Sequence, residues 1–408
     1  MNCRHCKAPL KHTFLDLGFA PPSNAYLTKA DLSNPEIYYP LKVKVCNSCW
    51  LVQTEDYAKA EALFTPEYAY FSSTSASWLD HARRYADQMI EGLELTDKSF
   101  VIEVASNDGY LLKNFLDAGI PCLGIEPTRS TAVVAEKLGI PVLCEFFGEA
   151  LGEKLAIEGK QADLIIGNNV YAHVPDVNDF TKGLKAVLRR GGTITLEFPH
   201  VMRLIEQAQF DTVYHEHFSY FSLITVSRIF SSAGLRIWNV EELPTHGGSL
   251  RVYGCHEDDA RENQQTVNEL IGQEVSQGLQ QPDTYLEFQP RADKIKNDFL
   301  AFLIEQTRNG KTVVAYGAAA KGNTLLNYAG VKPDLLPFVC DAAPSKQGRF
   351  LPGSHIPIVP PSVINEQNRP DFIFVLPWNL ISEIKENYSS LSSSGTRFVT
   401  AVPSLQFQ

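Results

Sequence analysis

Three sets of residues in this 408-residue chain have types and spacings that suit chemistry. In "DTVYHEHFSYFS" (211–222), Tyr214, His215, Glu216 and His217 are consecutive, in a chain with ten histidines. An imidazole with a pKa of about 6.5 exchanges protons at cellular pH, and a carboxylate or phenol beside it can support that transfer. Metal ligation is the other chemistry these types allow. A zinc-protease helix, however, needs H-E-x-x-H, and its second histidine would fall on Ser219. His215 and His217 can share a face only in an extended segment.

The second set is Cys3 and Cys6 with Cys46 and Cys49, two C-x-x-C pairs separated by a long gap. Four thiolates can converge tetrahedrally on Zn²⁺ with no position left open, which describes a structural site. That completes a metal site elsewhere and leaves residues 214–217 for acid–base work. The third set is the turn in "VIEVASNDGYLL", where an apolar run passes through Ala105, Ser106, Asn107, Asp108 and Gly109 into a helical pattern. Small residues there let a ligand approach the backbone at a helix N-terminus. Glu126 ends the next strand, where a carboxylate can accept ribose hydroxyls, and Asn168 lies in "GNN" at the end of a later one. These residues suit a nicotinamide cofactor and a methyl-donor nucleoside equally well.

The elements that must hold these residues alternate. Apolar runs at 99–105, 121–127, 140–146, 162–169 and 193–199 are separated by helical patterns at 109–119, 129–139 and 177–192. Alternation of this kind predicts a mostly parallel sheet covered on both faces. A helix is expected over 75–93. A second α/β series follows a polar helical stretch, with strand-like runs inside 311–330, 335–350 and 370–380.

Length predicts two or three domains. The net charge of −11 argues against binding nucleic acid by bulk electrostatics. "MNCRHCKAPL" has no signal-peptide core, and "DFIFVLPWNLI" is too short and Pro-broken to span a bilayer. A soluble, cytoplasmic protein without a membrane partner is expected, with a monomer as the default.

The motifs together add a resemblance. "EVASNDG" with Glu126 resembles motifs I and II of class I S-adenosylmethionine-dependent methyltransferases, although Ala105 and Asn107 stand where two glycines are usual. The four cysteines, "LGFAPPSNAYL" (17–27), "SNDGYLL", "NNVYAHVPD" (168–176), "YHEHFSYFS" (214–222), "HGGSLRVY" (246–253) and "YGAAAKGNTLLN" (316–327) resemble the three-domain sugar C-methyltransferases, of the nucleotide-linked deoxysugar C-3 type.

The resemblance implies an α/β fold in three parts. A small zinc-binding domain takes residues 1–65, a class I, Rossmann-like methyltransferase domain 66–260, and a Rossmann-like nucleotide-sugar-binding domain 261–408. It implies methyl transfer from S-adenosylmethionine to a ring carbon, C-3, beside the ketone of a nucleoside-diphosphate sugar. His217 is then the base, Glu216 its support, and Tyr214 a donor to the enolate oxygen. His173 and Tyr68 are further active-site candidates. Ser106, Asp108, Gly109, Glu126, Asn168 and Phe146 are expected at the cofactor. Ser249 and Arg251, with Lys321 and Asn323, are expected at the sugar or its phosphates. Zn²⁺ is expected on Cys3, Cys6, Cys46 and Cys49. The competing readings are a zinc-bearing binding protein with a degenerate core and an NAD-dependent nucleotide-sugar enzyme. Stabilisation by NAD, and not by S-adenosylmethionine, would mark the latter.

Overall fold

A computed structural model describes residues 1–55, 57, 71–74 and 76–408. Three sheets organise them. The N-terminal sheet begins with β1 (His12–Ala20), β2 (Tyr39–Val45) and β3 (Val52–Thr54), all antiparallel. In β2 the period of two is plain: Leu41, Val43 and Val45 point into the core, while Lys42 and Lys44 stay outside it.

The central sheet contains β4 (Val101–Val104), β5 (Cys122–Ile125), β6 (Val142–Leu143), β7 (Ala162–Asn168) and β8 (Leu188–Pro199) in parallel. β4 and β5 are buried at every position, as parallel strands covered on both faces must be. After β9 (Ser219–Tyr220), the strands β10 (Leu235–Leu243) and β11 (Ser249–His256) form a hairpin, with β11 inserted antiparallel beside β8. The spatial order is β10-β11-β8-β7-β4-β5-β6. Counted within this sheet it reads 6-7-5-4-1-2-3, with only the seventh strand reversed.

Several helices are shorter than their sequence patterns predict: that expected over 109–119 is Leu112–Asp117, and that over 129–139 is Arg129–Lys137. The helix expected over 177–192 is Val177–Val187, capped by the Asp176 carboxylate on the amides of Asn178 and Asp179. From Leu188 the chain is already strand. Gly191 takes φ +79°, and a Cβ on Gly192 would stand 3.0 Å from the Ala162 carbonyl oxygen, so "RRGG" turns the chain tightly against β7 instead of prolonging the helix.

β9 leaves the central region and completes the N-terminal sheet by pairing with β3, Val52 opposite Tyr220 and Gln53 opposite Ser219. The segment carrying residues 214–217 is therefore anchored on the cysteine-bearing module.

The C-terminal sheet uses β12 (Val313–Tyr316), β13 (Val339–Cys340), β14 (Ile358–Val359), β15 (Phe372–Val375), β16 (Arg397–Thr400) and β17 (Gln406–Phe407), in the order 14-13-12-15-16-17. All pairs but the last are parallel. Its strand order reverses between β12 and β15. The helix Ala320–Ala329 begins at that crevice. Packing continues between the units: Phe14 stacks on Phe288 at 4.5 Å, and the Tyr26 hydroxyl donates to the Ala318 carbonyl at 2.6 Å. Among the described residues no helix is long and apolar enough to cross a membrane.

Candidate active site

The carboxyl ends of β4, β5, β7 and β8 meet at one edge. After β4 the turn has positive φ at Ala105, Asn107 and Gly109, and after β7 at Asn169. The Glu126 carboxylate holds this edge together, accepting the amides of Asn107 at 2.9 Å and Thr128 at 2.8 Å. Burial raises its pKa, and those backbone donors oppose the rise.

Beneath the turn, Glu103 is fully buried. Desolvation, and then the charges of Glu126 and Asp108, hold its pKa well above the ordinary carboxyl range. Glu103 Oε2, Ser106 Oγ, Asp108 Oδ1 and both amide atoms of Asn168 are buried without a hydrogen-bond partner among the described residues. A buried edge of acceptors and an amide donor around three carboxyl groups fits a ligand bearing ribose hydroxyls and an amino group. Phe146 lies beyond β6 with half of its surface exposed.

Gly109 serves the fold. A Cβ there would stand 2.5 Å from Ile140 Cδ1 and 3.1 Å from the Ala135 Cβ, so the glycine lets the turn pack on the helix Arg129–Lys137. It also supplies φ +79°. The fold thus has its own need for a glycine at this position, beside the cofactor contact expected of it.

The second half of the site is a tight turn. The His217 amide donates to the Tyr214 carbonyl at 3.0 Å, which brings the side chains of positions 214 and 217 together. Their rings lie 3.9 Å apart, with the Tyr214 hydroxyl 2.6 Å from His217 Nε2. His217 Nδ1 lies 2.9 Å from the Thr212 carbonyl. A carbonyl only accepts, so Nδ1 carries the proton and Nε2 accepts from Tyr214. Burial, then the neighbouring His173, lowers the His217 pKa well below the usual range, so the ring is neutral and basic-form at cellular pH. His173 packs edge-on against it at 4.7 Å and is itself pushed down to about 4 by burial.

At Nδ1 it is the Thr212 carbonyl that meets His217. The Glu216 carboxylate, expected to support His217, accepts from Asn24 Nδ2 at 2.8 Å on both oxygens. In this geometry the Tyr214 hydroxyl, expected to serve an enolate oxygen, donates to His217 Nε2. His215 turns away to the Tyr39 carbonyl.

The C-terminal unit closes the other side. Lys321 Nζ reaches the His246 carbonyl at 3.3 Å and lies 4.8 Å over the Trp378 ring. Trp378 donates its indole N–H to Asp211 Oδ2 at 2.9 Å. Asn323, 1% exposed in the first turn of the same helix, has no partner among the described residues for either amide atom. The His246 ring, pushed down to about 4 by burial, sits between Trp78 and Asn169.

Ser249 and Arg251, expected at the sugar, are held by protein partners. The Ser249 hydroxyl donates to the Thr245 carbonyl at 3.0 Å. Arg251, 3% exposed, pairs with Glu197 at 2.8 Å and lies 4.5 Å over the Tyr85 ring. Burial alone would raise the Glu197 pKa, but His81 and Arg251 outweigh it and lower it. The glycines of "HGGSL" admit protein: a Cβ on Gly247 would meet Trp378 at 2.3 Å, and one on Gly248 would meet Arg203 at 2.8 Å. Tyr68 lies outside the described residues.

Sequence reasoning passed over Asn24, Thr212, Glu103, Asp211 and His246. All five stand inside the motifs quoted above, Asn24 in "PPSNAYL", His246 in "HGGS", Glu103 in "VIEVASNDGYLL", and Asp211 and Thr212 in "DTVYHEHFSYFS". Thr212 acts through its backbone and carries no side-chain signal at all.

The sulfur atoms of Cys3, Cys6, Cys46 and Cys49 all lie within 4.8 Å of one another. Zn–S bonds of about 2.3 Å in a tetrahedron require similar separations. The two knuckles are built alike: Lys7 and Trp50, each following its second cysteine, have φ of 62° and 66° and donate to the carbonyls of Cys3 and Cys46. Gln53 Nε2 adds a bond to Cys3 Sγ at 3.2 Å.

This strand order, with its acidic carboxyl edge, defines an S-adenosylmethionine-dependent methyltransferase of class I fold carrying an N-terminal zinc-binding domain. Family models match along the chain: a zinc binding domain at residues 3–64, a methyltransferase domain at 78–240 and a C-methyltransferase C-terminal domain at 244–403. The chain is 34% identical over 402 residues to the C-methyltransferase NovU of Streptomyces niveus, covering 98% of this chain and 95% of that protein. Among solved structures, YcgJ of Bacillus subtilis matches 44% of this chain and 99% of its own at 13% identity, with a TM-score of 0.36. A methyltransferase from Clostridium acetobutylicum matches 44% and 92% at 10% identity, with a TM-score of 0.35. The chain belongs to the C-methyltransferase family that includes NovU, and it is an S-adenosylmethionine-dependent C-methyltransferase.

Proposed function

We propose that the methyl acceptor is the carbon, C-3, beside the ketone of a nucleoside-diphosphate-linked 4-keto-deoxysugar, bound between the central and C-terminal units. The observation that carries this is the Tyr214–His217 pair. A carbon becomes a nucleophile only after losing a proton, and a neutral imidazole with a phenol in front of it is a proton acceptor poised for that step. The motif resemblance supports the sugar.

In this reading S-adenosylmethionine supplies an electrophilic methyl group. Glu126, Asp108, Ser106 and Asn168 hold it at the sheet edge, with Phe146 toward the adenine. The Tyr214 oxygen receives the carbon's proton as its own hydrogen passes to His217 Nε2, and the Thr212 carbonyl steadies the ring. Glu216, fixed by Asn24, and His173 line the pocket behind this pair. Lys321 and Asn323 face the sugar from the C-terminal unit. The division of labour follows residues 1–65 for zinc, 66–260 for methyl transfer and 261–408 for the nucleotide-sugar. The enzyme works in the cytoplasm as a monomer.

Incubation with methyl-labelled S-adenosylmethionine and a panel of 4-keto nucleotide sugars, read by mass spectrometry, tests this. Label on a ring carbon is expected. Label on oxygen or nitrogen, or none with any sugar, overturns the substrate assignment.

A further inference from the structure

Lys321 is a cation whose hydrogen-bond partners among the described residues are all neutral. It projects from the first turn of the helix Ala320–Ala329 toward the central unit. Its two hydrogen bonds, to the His246 carbonyl at 3.3 Å and Asn379 Oδ1 at 3.5 Å, are long and go to neutral acceptors. Among the described residues no carboxylate lies within the ion-pair distance of 4.0 Å. Asp211 is the carboxyl group whose charge it feels, and Asp211 gives one oxygen to Trp378. Burial also pushes Asp211 up to about 6, so part of its charge is absent near neutrality. An ammonium whose nearest carboxyl group lies beyond ion-pair distance is only weakly compensated, and an anion arriving beside it is favoured.

Two anions are available on the proposed substrate, the diphosphate and the enolate that forms during reaction. A diphosphate calls for several cations, and the neighbouring ones are engaged: Arg203 by Glu206 and Glu242, Arg251 by Glu197 and Glu241. One ammonium matches one oxygen. Its charge also reaches the acid–base cluster, since after burial and His173 it is among the causes that lower His217, and after burial it is the next for His246. Tyr214 cannot supply the missing donor while its hydrogen is on His217 Nε2.

Resting on the substrate class proposed above, we infer that Lys321 is the catalytic residue that stabilises the enolate oxygen, so that the C-terminal unit completes the chemistry. As the proton leaves for the Tyr214–His217 pair, the C–H electron pair forms the carbon–carbon double bond, and the carbonyl π pair moves onto oxygen, where the Lys321 ammonium donates to it. In methyl transfer that charge returns to carbon to form the new carbon–carbon bond. The methyl–sulfur bond breaks with both electrons on sulfur, and Lys321 keeps its proton throughout.

The test is exchange in heavy water of the proton beside the ketone, without S-adenosylmethionine, using the full chain and a 4-keto nucleoside-diphosphate sugar. Lys321→Met, which keeps the stem over Trp378, should slow exchange at saturating sugar by about 10²- to 10³-fold, as loss of one oxyanion donor does. Binding of S-adenosylhomocysteine and of the free nucleoside diphosphate should be unchanged, and Lys321→Arg should recover part of the rate. Exchange by Lys321→Met at the wild-type rate, or a loss confined to nucleoside diphosphate affinity, overturns the inference and leaves the substrate assignment standing. If the wild type exchanges no 4-keto sugar, the substrate assignment fails, and this inference with it. S-adenosylhomocysteine binding serves as the folding control, and Lys321→Gln replaces Lys321→Met if that control fails.

Discussion

The hydroxyl of Tyr214 lies 2.6 Å from Nε2 of His217, while Nδ1 of the same ring is engaged by the Thr212 carbonyl at 2.9 Å. The two side chains are one proton-accepting unit. Tyr214→Phe is therefore expected to cost about as much as His217→Ala, each about 10²- to 10⁴-fold in methyl transfer, with the double variant little worse than either. The pH profile carries the same information. A His pKa lowered by burial keeps the acceptor unprotonated above that lowered value, so activity should persist as pH falls through 6.5 and decline only below the ordinary histidine range. An acid limb of kcat/KM near 6.5 would count against His217.

Asn24, from a loop of the N-terminal unit, donates to both oxygens of the buried Glu216 carboxylate. Asn24→Ala leaves an acceptor short of its partners, which costs about 1–3 kcal/mol of stability. A fall in methyl transfer is expected with S-adenosylhomocysteine affinity retained, because Asn24 makes none of the contacts at the β4–β5–β7 edge. Calorimetric titration and denaturation curves check the two halves separately.

Arg251 and Lys321 stand on opposite sides of the same question. Arg251→Met leaves Glu197 buried with only His81 and Thr245 as partners, and breaking such a pair costs about 3–5 kcal/mol. Adding Glu197→Gln should recover much of that loss. The KM for the sugar, measured on the folded fraction, should stay near wild type, and a large rise in KM without loss of stability would restore Arg251 to the substrate site.

Sequence alone placed the sheet edge and the zinc ligands well, for a physical reason: both depend on local pattern. Apolar runs that end in Glu126 or Asn168 must end at a carboxyl edge when the sheet is parallel, and C-x-x-C knuckles carry their own geometry. Roles that depend on long-range pairing were not legible. That Arg251 meets Glu197 depends on β11 lying antiparallel to β8. The packing of Gly109 on the helix Arg129–Lys137 likewise joins segments that the turn itself does not announce. Asn24 meets Glu216 across 192 positions of chain, which no local spacing reports.

The pairing of β9 with β3 gives the metal site a reach beyond its own module. Cys46 and Cys49 bracket the turn between β2 and β3, Gln53 of β3 donates to Cys3 Sγ, and Gln53 pairs with Ser219, two residues after His217. The Thr54 amide donates to the Phe218 carbonyl at 3.1 Å on the same edge. Removing zinc leaves β2 and β3 without their closure and so loosens the turn that joins Tyr214 to His217. Chelation, or Cys46→Ser, is expected to suppress methyl transfer while the central unit still binds S-adenosylhomocysteine, whose contacts lie on β4, β5 and β7. Metal content, turnover and a ligand-induced rise in Tm, followed during chelation and zinc return, separate the two effects. Metal-free protein with full turnover would show that the N-terminal sheet holds the catalytic turn through its packing alone.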